Sequence, residues 1–174
     1  MPARWFERRF TFDLPDEVCA NVVERVRGTP ARLEERVRGV PTDVLTHRAE
    51  DTWSIQENVG HLLDLEPLWI TRVDELSAGQ PVFSAADPEN RKTHQANHNA
   101  LPIASLLEAF RAERRKLVVL LDQADDTLRT RAAWHPRLKT PMRLIDLAVF
   151  VAEHDDHHLA RIGELLTIGS PVWE

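Results

Sequence analysis

The chain has 174 residues, a formal charge of −6, 43% hydrophobic and 29% charged residues. This mix fits one soluble globular domain over residues 1–174, excludes a disordered chain, and argues against a nucleic-acid partner, which needs a basic face. A lone cysteine, Cys19, excludes an internal disulfide, and no apolar run approaches a membrane span or signal peptide, so a cytoplasmic protein with no membrane contact is expected.

The basic, aromatic start "WFERRF" is expected to tie the N-terminus down, and "RRFTFDL" alternates weakly, as an extended arm would. A first helix is predicted from Pro15 to Val40, with Val18, Val22, Val26, Leu33 and Val37 near one face. Cys19 falls beside these valines as a small buried residue. "GTP" at 28–30 is expected to kink or split this helix, with Thr29 as a cap and Pro30 starting a new turn.

A second helix is predicted from Ser54 to Ala78. "SIQE" is a capping box, which accounts for Glu57, and Ile55, Val59, Leu62, Trp69 and Val73 form its buried stripe. The connection from Gln80 to Leu101 is long enough to cross a bundle, with room for a short helix around Pro88–His98. A third helix is predicted over Pro102–Gln123. Its "RAERRK" run reads as a solvated face from which Arg111 or Arg115 could turn inward. "WHPRLKTP" reads as a loop, with Trp134 packed in it. A fourth helix is expected to open at Thr140 and Pro141 and to end at Gly169 and Pro171. No comparable strand pattern is present. Four such helices with a long second connection predict an all-α four-helix bundle.

The fourth helix contains "VAEHDDHHLARI" (151–162). At about 100° per residue, His154 and His158 share the side of Leu147, Val151 and Leu165, whereas His157 turns toward solvent. On the second helix His61 flanks the apolar sector, and Glu66 lies within it, where a carboxylate needs a partner. Two imidazoles one turn apart can share one ion, and His61 is the inward candidate for a third nitrogen. From spacing alone a metal site and an inert cluster hydrogen-bonded to Asp64, Glu66 or Asp155 fit about equally. The pair His94 and His98 has the same spacing but lies in the long connection, where a solvated or capping role is expected.

"WSIQENVGHLLDLE" (53–66) resembles the second-helix signature of the DinB-like metal-binding superfamily, "HDDHHLARI" (154–162) its last-helix signature, and "GTPARLEERV" its first-helix segment. The resemblance spans nearly the whole chain. It implies an up-down-down-up four-helix bundle, often a homodimer, with a divalent metal held by His61, His154 and His158. Relatives in that family include transferases and isomerases that use low-molecular-weight thiols such as bacillithiol or mycothiol.

Three imidazoles leave a coordination position open, as in catalytic sites. Zinc or nickel is favoured, with manganese or iron also compatible. Asp64, Glu66, Asp155 and Asp156 are candidates to orient the imidazoles or take a proton. The expected function is a metal-dependent enzyme acting on a small electrophile, by thiol transfer or by hydrolysis. The alternative is a non-catalytic metal- or ligand-binding stress-response module.

Overall fold

The computed structural model describes residues 4–49 and 52–169. A 3-10 turn, Asp16–Val18, leads into α1, Cys19–Val37. Pro30 sits inside α1, yet the helix runs unbroken, contrary to the expected split. The reason lies on a neighbouring helix. Proline has no N–H to offer the Val26 carbonyl four residues back, and Arg114 Nη1 donates to that oxygen instead, at 2.9 Å.

A short α2, Thr42–Thr46, precedes α3, Ile55–Ser77. Ser54 caps α3: its side chain accepts from the Glu57 N–H, and the Glu57 carboxylate accepts from the Ser54 N–H, the expected capping box. The long connection holds α4, Arg91–Gln95, within the segment expected to be helical, and a 3-10 turn, His98–Ala100, just after it. Then follow α5, Ile103–Asp122, and α6, Asp126–Thr130, capped by Asp125.

The expected start of the last helix is displaced. Ala132–His135 (β1) and Thr140–Arg143 (β2) form an antiparallel hairpin, and α7 runs from Leu144 to Gly169. Thr140 pairs with His135 and Pro141 with Trp134, so neither belongs to the helix. Pro141 is tolerated because Trp134 spends its N–H on the Pro81 carbonyl and its carbonyl on the Phe83 N–H, away from β2. Trp134 is therefore a strand residue, and it remains 42% exposed. Pro171 lies outside the described residues. No helix among them is long and apolar enough to cross a membrane.

The four long helices α1, α3, α5 and α7 form the bundle. In the ring they make, α1 and α3 each pack against both α5 and α7. Contacts along α1 and α7 advance in the same chain sense, from Arg25–Glu153 through Arg32–Asp156. The α3–α7 contacts run in opposite senses, Asn58 meeting His158 and Trp69 meeting Phe150.

The core is split in two. One apolar cluster gathers Val22, Val26, Trp69, Leu117 and Phe150 with the hairpin, and another gathers Leu33, Ile55, Val59, Phe110 and Ile162. Between them lies a polar layer with one residue from each long helix: Thr29, Glu66, Arg114 and Asp155, all at most 1% exposed. Arg114 Nη2 donates to Glu66 Oε1 at 2.6 Å and to Asp155 Oδ1 at 3.0 Å, and Thr29 Oγ1 donates to Asp155 Oδ2 at 2.7 Å. One guanidinium thus answers two buried carboxylates, which is how the bundle keeps charge inside.

Candidate metal centre

The opposed run of α3 and α7 brings His61 across from His154 and His158, whose four-residue spacing stacks them one turn apart. One ring nitrogen from each of the three lies within 4.8 Å of the others. Ring centroids are 4.6 Å apart for His154–His158, 4.8 Å for His61–His158 and 5.3 Å for His61–His154. All three rings are buried. Burial, with the neighbouring imidazoles, pushes His61 down to about 4 and holds His154 and His158 well below the ordinary histidine range. The rings are therefore neutral at pH 7, the form that carries a lone pair for a metal.

Hydrogen bonds select which nitrogen carries that lone pair. Asn58 Nδ2 donates to the Ser54 carbonyl at 2.7 Å, so Asn58 Oδ1 faces His158 and must accept from its Nδ1, 2.8 Å away. Nε2 of His158 is then the free acceptor. At His61 the logic repeats. Thr93 Oγ1 gives its proton to Asp64 Oδ2 at 2.9 Å and so accepts from His61 Nδ1 at 3.1 Å, leaving Nε2 free. His154 keeps a buried Nδ1 with no hydrogen-bond partner. Two oriented imidazoles and a third with an unanswered polar atom form a donor set that suits a divalent ion.

The four candidate carboxylates are placed differently. Asp64 stands behind His61 through Thr93 and also accepts from His98 Nε2 at 2.8 Å. Glu66 and Asp155 hydrogen-bond no imidazole and meet on Arg114 instead. Burial pushes the Glu66 carboxyl up to about 7, with Arg114 opposing. Asp156 pairs with Arg25 and Arg32 of α1. Arg114 replaces the expected inward arginines: Arg111 pairs with Glu34, and Arg115 is exposed.

His98, expected to be solvated or capping, is 4% exposed. It lies against Gly60 so closely that a Cβ there would come within 2.3 Å of the ring. His94 is exposed as expected. His157 is half-buried rather than turned to solvent, with Trp5 and His158 against it at 5.7 and 5.2 Å.

The histidines face a cavity of about 880 Å³. Trp53 lies over His61 and His158 at 4.6 and 6.3 Å. Trp5 does the same for His154 at 4.9 Å, so the N-terminal aromatics do more than anchor the chain. The sequence reading missed Asn58, Thr93 and Arg114. Arg114 was visible, because it sits on the stripe of Leu107, Phe110, Leu117 and Leu121. Thr93 gave no signal, since it reaches His61 only through the fold of the long connection.

Fold and site together define a helical-bundle protein with a three-histidine candidate metal centre. The DinB superfamily profile matches residues 25–162, and the chain belongs to that superfamily. It is similar to the structure of YfiT from Bacillus subtilis (TM-score 0.80, 21% identity, 95% of each chain covered), described as "a probable metal-dependent hydrolase with an unusual four-helix bundle topology". It is also similar to a mycothiol-dependent maleylpyruvate isomerase (TM-score 0.68, 12% identity), covering 87% of this chain and 62% of that one. No match was found among curated protein sequences.

Proposed function

We propose that the chain is a metal-dependent enzyme in which His61, His154 and His158 hold one divalent ion, zinc or nickel by preference, and the cavity takes a small electrophile. The observation that carries this is the convergence of three buried, neutral imidazoles within 4.8 Å on the wall of an open cavity. A structural site would be closed on all sides, whereas this one leaves room for a further ligand. A bound ion there supplies Lewis acidity, lowering the pKa of a thiol or water near neutral pH.

The chain's own residues supply the rest. Asn58 and the Thr93–Asp64 pair fix two imidazoles, and Trp53 and Trp5 exclude bulk water from their faces. Glu66 and Asp155 brace the helices through Arg114. Thiol transfer is the favoured chemistry, with a low-molecular-weight thiol as cosubstrate, and hydrolysis is its variant. The mycothiol dependence of one structural relative supports the first and the description of YfiT the second. A cytoplasmic homodimer is part of the proposal.

The test is elemental analysis of untagged protein beside His158→Ala. One divalent ion per chain, lost in the variant, is expected; no stoichiometric ion would sink the proposal. Metal-dependent consumption of a thiol with an electrophile, against thiol-independent cleavage, separates the two chemistries.

A further inference from the structure

Along the same cavity, away from the three histidines, lies a second set of groups that the metal centre does not use. Arg72 is 1% exposed and His135 2% exposed, and both line the cavity. Arg72 makes no ion pair among the described residues. Its Nε and Nη2 donate to the Ser84 carbonyl at 3.1 and 2.8 Å. Glu75, the carboxylate whose charge acts on Arg72, is itself engaged by the N–H and hydroxyl of Ser84. A guanidinium buried without a counter-charge is costly, and burial accordingly lowers Arg72 to about 10.

Hydrogen-bond accounting sharpens the point. Arg72 Nη1 lies 3.3 Å from His135 Nε2, while the Leu138 N–H donates to His135 Nδ1 at 3.1 Å. A neutral imidazole offers one acceptor nitrogen and carries one N–H. Two outside donors therefore meet a ring that can accept only one of them, whichever tautomer is chosen. With Nδ1 accepting from Leu138, the Nε2–H and the Arg72 N–H face each other with no acceptor between them. Trp69 Nε1, on the same wall, is a third buried donor without a partner.

Arg137 adds a second positive charge. It lies over Phe150 at 5.7 Å and Phe6 at 5.3 Å, with no carboxylate paired to it among the described residues. Such a surplus of donors and positive charge lacks one thing, an acceptor with negative charge. Trp69 connects this wall to the histidines, with the Arg72 guanidinium 5.3 Å from its ring and the His154 ring 5.8 Å away.

We propose that Arg72, His135 and Arg137 form an oxyanion subsite that binds a carboxylate or phosphate carried by the substrate. The substrate's apolar body would lie along Trp69 toward the three histidines. This rests on the reading of the cavity as a substrate site and names the class of substrate: a small anionic molecule whose reactive carbon is remote from its oxyanion.

Binding is tested on full-length protein, metal-loaded and chelator-treated, by tryptophan fluorescence. The probes are benzoate, phenyl phosphate and the uncharged benzamide. Benzoate or phenyl phosphate is expected to bind and benzamide not, the stronger of the two naming the oxyanion. Arg72→Met should weaken anion binding by about tenfold or more without lowering the melting temperature, because it removes an uncompensated buried charge. Should that variant fail to fold, the exposed Arg137→Gln is expected to weaken binding several-fold. Equal binding of benzamide, or unchanged anion affinity in the folded variants, overturns the subsite. Metal content is read on the metal-loaded samples. Anion binding without any stoichiometric metal would sink the metal centre and leave the subsite standing; metal without anion selectivity would do the reverse.

Discussion

Asn58 Oδ1 lies 2.8 Å from His158 Nδ1, and the Asn58 amide nitrogen is committed to the Ser54 carbonyl at the start of the same helix. The cap of α3 thereby dictates which nitrogen of a histidine on α7 is free. Removing that acceptor should loosen the imidazole and mix its tautomers. Asn58→Leu is expected to weaken metal binding by about 10–100-fold, the usual cost of losing such a partner. Asn58→Asp, which still accepts at Nδ1, should retain more of the affinity. Competition with a chromophoric chelator measures both, and an affinity unchanged in Asn58→Leu would remove Asn58 from the centre.

Gly60 serves His61 indirectly. His98 occupies the space a side chain would need, and it holds Asp64, which in turn takes the Thr93 proton. Gly60→Ala places a Cβ against the imidazole ring and should eject His98 from α3. The expected result is a lower melting temperature together with weaker metal binding, as the chain His98–Asp64–Thr93–His61 comes apart. A variant that melts and binds metal like the parent would show that His98 is dispensable.

Much of this was legible from residue spacing. The stripes of α3 and α5 locate both helices within a residue or two, and the inward phase of His154 and His158 places them on one face. The hairpin was not legible. Its strands have four residues each, one carries Pro141, and its turn closes with Lys139 at φ 55°, where glycine or asparagine would have marked the position. Pro30 misled for a different reason. A proline within a helical pattern argues locally for a break, and the group that cancels the break, Arg114, is on another helix. His98 belongs to the same class, since a loop has no periodicity to reveal which residues turn inward.

Arg114 carries two burdens at once, the Glu66–Asp155 pair and the Val26 carbonyl left open by Pro30. Arg114→Ala should cost about 3–5 kcal/mol, because it strands two buried carboxylates rather than deleting one contact. Urea unfolding measures this. Glu66→Gln, which removes one of two competing charges while keeping an acceptor for Arg114, is expected to be much milder. A loss for Arg114→Ala no larger than for an exposed residue such as Arg115→Ala would mean that the polar layer does not hold the bundle.

The buried histidines also make metal-free protein sensitive to acid. His61, His154 and His158 titrate near 6.5 when unfolded but lower when folded, His61 at about 4. Below pH 6.5 the unfolded chain takes up protons that the folded chain refuses, so stability falls as pH falls, by up to about 1.4 kcal/mol per pH unit for each ring. Glu66 acts in the opposite direction, since a carboxyl raised from 4.5 to about 7 costs stability as pH rises through that interval. His135, also lowered to about 4, and the carboxyls of Glu57, Glu153 and Asp156, held low by their arginines, act with the three histidines, so the net is a loss on acidification. Chelator-treated protein should therefore unfold progressively between pH 6.5 and 4.5, and His158→Ala should flatten that slope. Bound metal should move the transition to lower pH, because protons must then displace the ion to charge the rings. A pH-independent melting temperature across this range in metal-free protein would contradict the burial of these imidazoles in the neutral form.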